Sequence, residues 1–345
     1  MTVPMPKKII GFGNPLLDIS ANVDQAFLEK YDLEADNAIL ADEKHVPMYE
    51  ELAKNYKAAF IPGGATQNTM RVLQWLLQKT PGLTTMVGCV GTDEYAKIMS
   101  DQAEADGVHT AYLRDADTPT GTCAVCITGQ HRSMVANLAA ANNYKESHLD
   151  SEGIWDLVKS ADIGYISSFF LTVSPPTIQR VAKHFAESNK LFCMNLSAPF
   201  LPQFFKEPMA AALPYCDIVF GNESEAAAYS EANGLGLTDV GKIALAIAAL
   251  PKEGDTGVSR MVVFTQGPDC TVIAKDGNVT KYDVNRLDES EIVDTNAAGD
   301  AFVAGFLSQV AKGNSVEESV RCGHWAAQLI IKYSGCTFPP TCEFK

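Results

Sequence analysis

Apolar runs rich in β-branched residues recur along the chain at Lys8 to Phe12, Thr84 to Val90, Ile163 to Ser167, Leu191 to Asn195, Asp217 to Phe220 and Arg260 to Thr265. Between them lie segments with helical periodicity: Thr66 to Lys79, Glu94 to Ala105, Pro175 to Ser188, Glu223 to Ala232, Ala298 to Lys312 and Val316 to Lys332. Runs that are apolar throughout suit strands covered on both sides, so the pattern predicts an α/β fold with a doubly wound, mainly parallel sheet and helices on both faces. Two stretches break the pattern. Thr120 to Thr128 and Arg132 to Leu138 alternate in polarity around a Gly129-Gln-His turn, and Leu16 to Pro62 holds short strands and few long helices. Together they predict a small β-rich lid from residues 16–63 and 119–141, over a large domain built from 1–15, 64–118 and 142–345. A lid assembled from two insertions implies a cleft beneath it.

Charge narrows the partners. Lys and Arg number 27 against 42 Asp and Glu, a formal net charge of −15 over 345 residues, which argues against binding a nucleic acid polymer. No apolar run reaches the roughly 18 residues needed to cross a bilayer. After Lys7-Lys8, the residues Asn14, Pro15 and Asp18 interrupt any signal-peptide core, so a cytoplasmic address is expected. The nine cysteines are then expected to be reduced. Cys123 and Cys126 lie three apart in a strand and so face opposite ways, which argues against a shared metal.

Four motifs carry candidate chemistry. Asp294-Thr-Asn-Ala-Ala-Gly-Asp300 opens a helix, where small residues let backbone amides approach an anion and the helix dipole favours it. Asp300, in the first turn, is placed to take a hydroxyl proton beside that anion. Ile61-Pro-Gly-Gly-Ala-Thr-Gln-Asn68 offers a tight turn and a hinge. In Gly11-Phe-Gly-Asn14-Pro-Leu-Leu-Asp18 the third glycine of a dinucleotide loop is missing and Pro15 blocks an immediate helix, so Asn14 and Asp18 read instead as an amide and a carboxylate for a diol. Asn222-Glu-Ser-Glu225 fits a capping box and equally a carboxylate that orients water on magnesium, while Thr265-Gln-Gly267 ends a strand at the same edge.

These motifs, in this order, resemble the ribokinase-like carbohydrate and purine kinase family, and the resemblance extends over essentially the whole chain. Gly13-Asn-Pro-Leu-Leu-Asp-Ile-Ser20, Pro119-Thr-Gly-Thr-Cys123, Ala136-Asn-Leu-Ala-Ala-Ala-Asn142, Phe169-Phe-Leu-Thr-Val-Ser174, Asn195-Leu-Ser-Ala-Pro-Phe200 and Gly335-Cys-Thr-Phe-Pro339 are similar to its adenosine kinase branch. The resemblance implies ATP-dependent phosphorylation of the adenosine 5′-hydroxyl, with Mg2+ required and K+ stimulating, by a monomer. It implies Asp300 as base, with the amides of Ala298, Gly299 and Asp300 as an anion hole entered through Ala297, and Arg132 reaching from the lid toward the phosphates. Asn14, Asp18, Gly64 and Asn68 would hold the ribose, with Asn296 beside the substrate. Phe170 would stack on the purine, and Leu16, Leu40 and Phe200 would line its slot. Asn222, Thr265 and Gly267 would contact ATP, Glu225 would act on Mg2+ through water, and Asp294 would contact the monovalent cation. The family carries glycine where this chain has Ala297, which predicts a negative φ there if the turn is to survive without strain. The alternatives are a related kinase for another purine riboside or a sugar, and a nucleoside-binding protein without catalysis.

Overall fold

The computed structural model describes residues 5–34, 37–78, 80, 82–129, 131–254 and 257–345. Gln130 in the expected hairpin turn and Lys79 at the expected end of the helix from Thr66 lie outside them.

In chain order the strands are β1 (Ile9–Phe12), β2 (Leu16–Asn22), β3 (Ala38–Leu40), β4 (Ala59–Gly63), β5 (Thr84–Val90), β6 (His109–Arg114), β7 (Thr122–Thr128), β8 (His131–Asn137), β9 (Ile163–Ser167), β10 (Leu191–Asn195), β11 (Ile218–Asn222), β12 (Met261–Thr265), β13 (Thr271–Lys275) and β14 (Asn278–Tyr282). The helices are α1 (Gln25–Lys30), α2 (Val46–Asn55), α3 (Ala65–Leu76), α4 (Glu94–Ala105), α5 (Ile154–Ser160), α6 (Pro175–Glu187), α7 (Phe200–Phe204), α8 (Lys206–Ala212), α9 (Glu223–Ala232), α10 (Val240–Ala248), α11 (Ala298–Lys312) and α12 (Val316–Ile330).

Nine strands form the large sheet in the order β14-β13-β12-β11-β10-β9-β1-β5-β6, parallel from β12 to β6, with β13 and β14 added antiparallel at one edge. Alternate residues feed two cores. Ile9, Met86, Tyr165 and Val263 pack under α3, α11 and α12, while Ile10, Val87, Ile166 and Phe264 pack under α6, α9 and α10. This is the doubly wound arrangement expected from continuous apolar runs. β6, β13 and β14 had no clear signal: β14 reads Asn-Val-Thr-Lys-Tyr and is largely exposed, so no apolar run marks it.

The second sheet, β3-β8-β7-β2-β4, is drawn from the two stretches that broke the pattern. One of its faces carries Ile19, Ala21, Ala124, Cys126 and Val135 under α1 and α2; the other carries Leu16, Cys123 and Val125. Cys123 and Cys126 therefore point to opposite faces.

Two glycine pairs join the layers. A Cβ on Gly13 would lie 2.5 Å from Thr66 Oγ1, so the Gly-x-Gly after β1 lets α3 approach the sheet. Gly64 takes φ +89° with its Cα close to the Asn14 carbonyl, and a Cβ on Gly63 would meet the Asp18 carboxylate at 2.2 Å. That turn passes the chain from the lid back to α3 with Asp18 pressed against it.

Candidate active site

Because β1, β9, β10, β11 and β12 run parallel and in register, their carboxyl ends share one edge, where open α/β sheets gather ligand-binding groups. Asn14 follows β1, Phe169 follows β9, Ser197 follows β10, Asn222 ends β11 and Thr265 ends β12. The lid face lies across from them. Its register sets Leu40 beside Ala136, Ala136 beside Cys123 and Cys123 beside Asp18, a row of three apolar side chains ending in a carboxylate. Leu40 is 62% exposed, and Leu16, Met134 and Leu138 pack around the same face.

At the N-terminus of α11 the carboxylate of Asp300 accepts a hydrogen bond from Asn68 Nδ2 at 3.0 Å, which links α11 to α3. Burial raises the Asp300 carboxyl to about 7, and the Asn68 bond opposes that shift. Burial likewise raises Asp18 to about 7; Arg71 opposes this, while the charges of Asp300 and Asp294 add to it. Asn14 donates through Nδ2 to the Phe169 carbonyl at 3.3 Å. The Oδ1 atoms of Asn14 and Asn68 are buried without a hydrogen-bond partner among the described residues. A buried, unsatisfied acceptor is costly. Together with the Asp18 carboxylate, these two amide oxygens make a set of acceptors suited to a ligand that donates from adjacent hydroxyls.

The turn before α11 departs from expectation. Ala297 has φ +61° and ψ +5°, so it occupies the left-handed region that the sequence had predicted it would avoid. The geometry of the turn outweighs the side chain. Asp294 Oδ1 accepts from the Asn296 amide at 2.9 Å, the Ala298 amide donates to the Thr295 carbonyl at 3.3 Å, and the Ala297 carbonyl accepts from the Ala301 amide at 2.8 Å, so the turn is held on both sides of Ala297. The Ala297 methyl packs against the core beneath α11. The cost of such a residue is about 1 kcal/mol. Gly299 is exposed with open space where a side chain would stand, so the first-turn amides at Gly299 and Asp300 remain approachable.

Phe170 also departs from expectation. It is fully buried in the core beneath the sheet, edge-on to Tyr144 at 5.3 Å, because the 3-10 turn Ser168–Thr172 points it inward. Phe169 is the partly exposed ring, 6.1 Å from Phe200, and its carbonyl is the one Asn14 holds. The pair Phe169 and Phe200 therefore supplies the aromatic surface at this edge. A Phe-Phe dipeptide gives no sign in sequence of which ring turns outward.

Arg132 does descend from the lid, and in the large domain it meets a backbone carbonyl and a carboxylate. Its Nη2 donates to the Val293 carbonyl at 2.8 Å and its Nε lies 3.7 Å from Asp294 Oδ2. Asp294 is buried and also accepts the Gly335 amide at 2.9 Å. Its neighbours are N–H groups and a guanidinium, donors that do not suit a monovalent cation. Asp294 acts here as a clasp between lid, turn and C-terminal segment.

Asn222 and Glu225 form a full capping box, with the Glu225 amide donating to Asn222 Oδ1 at 2.8 Å and the Asn222 amide donating to Glu225 Oε2 at 3.0 Å. Burial raises Glu225 to about 7, against the pull of backbone amides at Asn222 and Ser197. Among the described residues no cluster of three or more His, Cys, Asp or Glu is placed to hold a metal. A lone carboxylate at the sheet edge fits Mg2+ that arrives on nucleotide phosphates and keeps most of its waters. Thr265 bonds the Gly221 carbonyl at 3.4 Å, and Gly267, at φ +55°, is exposed beyond it. No described helix is long and apolar enough to cross a membrane.

Comparison with known proteins agrees with this geometry. The family model described as pfkB family carbohydrate kinase matches residues 25–342. Adenosine kinase 1 of Arabidopsis thaliana is 51% identical over 336 residues, covering 97% of each chain. The crystal structure of Anopheles gambiae adenosine kinase in complex with P1,P4-di(adenosine-5) tetraphosphate superposes with a TM-score of 0.91 at 48% identity, over 97% of this chain and 98% of that one. Adenosine kinase from Schistosoma mansoni in complex with adenosine, in an occluded loop conformation, gives 0.89 at 37% identity over 97% of both chains. With the model match and these identities over nearly its full length, this chain belongs to the pfkB family of carbohydrate kinases.

Proposed function

We propose that this chain transfers the γ-phosphoryl group of ATP to the 5′-hydroxyl of adenosine, giving AMP and ADP, and that it does so as a cytoplasmic monomer. The observation that carries the reading is the pairing of Asp300 with Asn68 at 3.0 Å, at a helix N-terminus and under a lid face that presents Asp18. Asp18 and the orphaned Oδ1 atoms of Asn14 and Asn68 hold the ribose hydroxyls, with the Gly64 turn keeping the backbone close. The purine lies between the Phe169 and Phe200 rings and the apolar lid row of Leu16, Leu40, Cys123 and Ala136.

Asp300 accepts the 5′-hydroxyl proton as the oxygen attacks phosphorus, and the amides of Gly299 and Asp300 steady the charge on the phosphoryl oxygens. Arg132 leaves its clasp on Val293 and Asp294 to meet the phosphates, so the lid completes the site only when substrate draws it in. Asn222, Glu225, Thr265 and Gly267 face the nucleotide from the sheet edge. Glu225 would hold Mg2+ through its waters, and the ion would supply charge neutralisation on the nucleotide phosphates. The lid keeps water from the phosphoryl group, which would otherwise be lost to hydrolysis.

The test is transfer from γ-labelled ATP to adenosine by the purified chain. Labelled AMP is the expected product; label appearing only as inorganic phosphate contradicts the reading.

A further inference from the structure

Arg71 belongs to none of the motifs above, yet it is 4% exposed and fully engaged. It lies on α3, three residues beyond Asn68. Its Nε donates to Asp106 Oδ2 at 2.7 Å, which balances the buried charge. Its Nη1 donates to two carbonyls, each at 3.0 Å: Pro62, at the end of the lid strand β4, and Cys336, in the C-terminal segment. One turn earlier Gln67 donates to the Gly63 carbonyl at 2.9 Å, so α3 holds the lid hinge at two successive residues.

The C-terminal segment passes this hold onward. The Gly335 amide, next to the carbonyl that Arg71 grips, donates to Asp294 Oδ2 at 2.9 Å, and Asp294 Oδ1 fixes the Asn296 amide in the turn leading to Asp300. Phe338 keeps the segment in place, with the Arg71 guanidinium 5.4 Å from its ring centre and Trp75 stacked on it at 5.3 Å. Trp75 stacks in turn on Trp325 of α12 at 5.7 Å.

We propose that Arg71 is a positioning residue for phosphoryl transfer: by gripping the Pro62 and Cys336 carbonyls together, it fixes the lid hinge, against which Asp18 packs, relative to the Asp294–Asp300 turn. The role in catalysis rests on the function proposed above. A guanidinium suits it because its rigid fork reaches Asp106 and both carbonyls at once, which a lysine ammonium does not.

The test compares the full chain with Arg71→Lys and Phe338→Ala, by steady-state kinetics with adenosine and ATP and by amide hydrogen exchange over residues 293–300. Arg71→Lys is expected to lower kcat about tenfold and raise the adenosine KM, since small misplacements at a reacting centre cost that much or more. Phe338→Ala loosens only the C-terminal segment and is expected to lower kcat with the adenosine KM within about twofold of wild type. Both should speed exchange across 293–300. Turnover within about twofold of wild type in both folded variants, or unchanged exchange in that turn, overturns the proposal. If Arg71→Lys does not fold, Phe338→Ala carries the test, since it leaves the Arg71–Asp106 pair intact. If the wild-type chain fails to phosphorylate adenosine, the functional reading falls and the exchange arm still decides whether Arg71 and the segment hold the turn.

Discussion

Asp300 carries two requirements that pull against each other. In the proposed reaction it must be enclosed, so that the phosphoryl group meets it without water, and it must be ionised to accept a proton, which enclosure disfavours. Asn68 reconciles them in part by donating to the carboxylate. Asp300→Asn keeps the shape and the contact with Asn68 while removing the base. Turnover is expected to fall about 10²- to 10⁴-fold with adenosine affinity retained, as measured by single-turnover kinetics and calorimetry. Ala297 shows the same tension in the backbone. Its left-handed φ is a local cost, so Ala297→Gly is expected to leave turnover intact and to raise unfolding free energy by up to about 1 kcal/mol in denaturant titration. The motifs that meet at the sheet edge were legible at this scale because their residue types and glycine spacings stand out in sequence. Two conformational details were not. The φ of Ala297 goes with hydrogen bonds that the Asn296 and Ala298 amides donate to Asp294 and Thr295, and the inward turn of Phe170 with a 3-10 segment that no periodicity marks.

Among elements, the lid sheet carries the face to which the proposed function assigns nucleoside recognition. β2, β7, β8 and β3 align Asp18, Cys123, Ala136 and Leu40 in one row, so a single register error would turn the whole binding face outward. Asp18→Ala is expected to weaken adenosine binding by about 2 kcal/mol or more while kcat at saturation falls far less, checked by calorimetry beside steady-state kinetics. The alternation of β7 and β8 made the lid readable from sequence. Its row was not, because cross-strand partners follow from register, and β2 pairs with β7 across a hundred residues. The helices were read almost to the residue where caps and glycines mark them, as for α4, α9 and α11.

For the whole molecule, a net charge of −15 is compatible with the proposed phosphate chemistry, in which the reacting anions meet helix amides and Arg132 rather than a basic surface. Three carboxyls, the buried Glu225 and the half-buried Asp18 and Asp300, are each raised to about 7 by desolvation. Each binds its proton more tightly in the folded chain than in the unfolded one, so they favour folding at low pH, and that contribution drains away as pH rises from about 4 through about 7. Asp300→Asn removes one such group. Its melting temperature at pH 8 is expected to exceed that of wild type, with the gap closing toward pH 4 in a calorimetric series. A lower melting temperature at pH 8 would contradict burial of the charge. With Asp300 as the proposed base, an acid limb near pH 7 is expected in the kcat/KM profile of the wild-type chain.

The most direct measurement is ADP release from ATP by the wild-type chain, coupled to an optical readout, with adenosine, inosine, guanosine and ribose as acceptors and Asp300→Asn run beside it. Release driven by adenosine well above the other three, and lost in Asp300→Asn, is the predicted result. Equal release with all four acceptors, or release that survives in Asp300→Asn, would contradict the account.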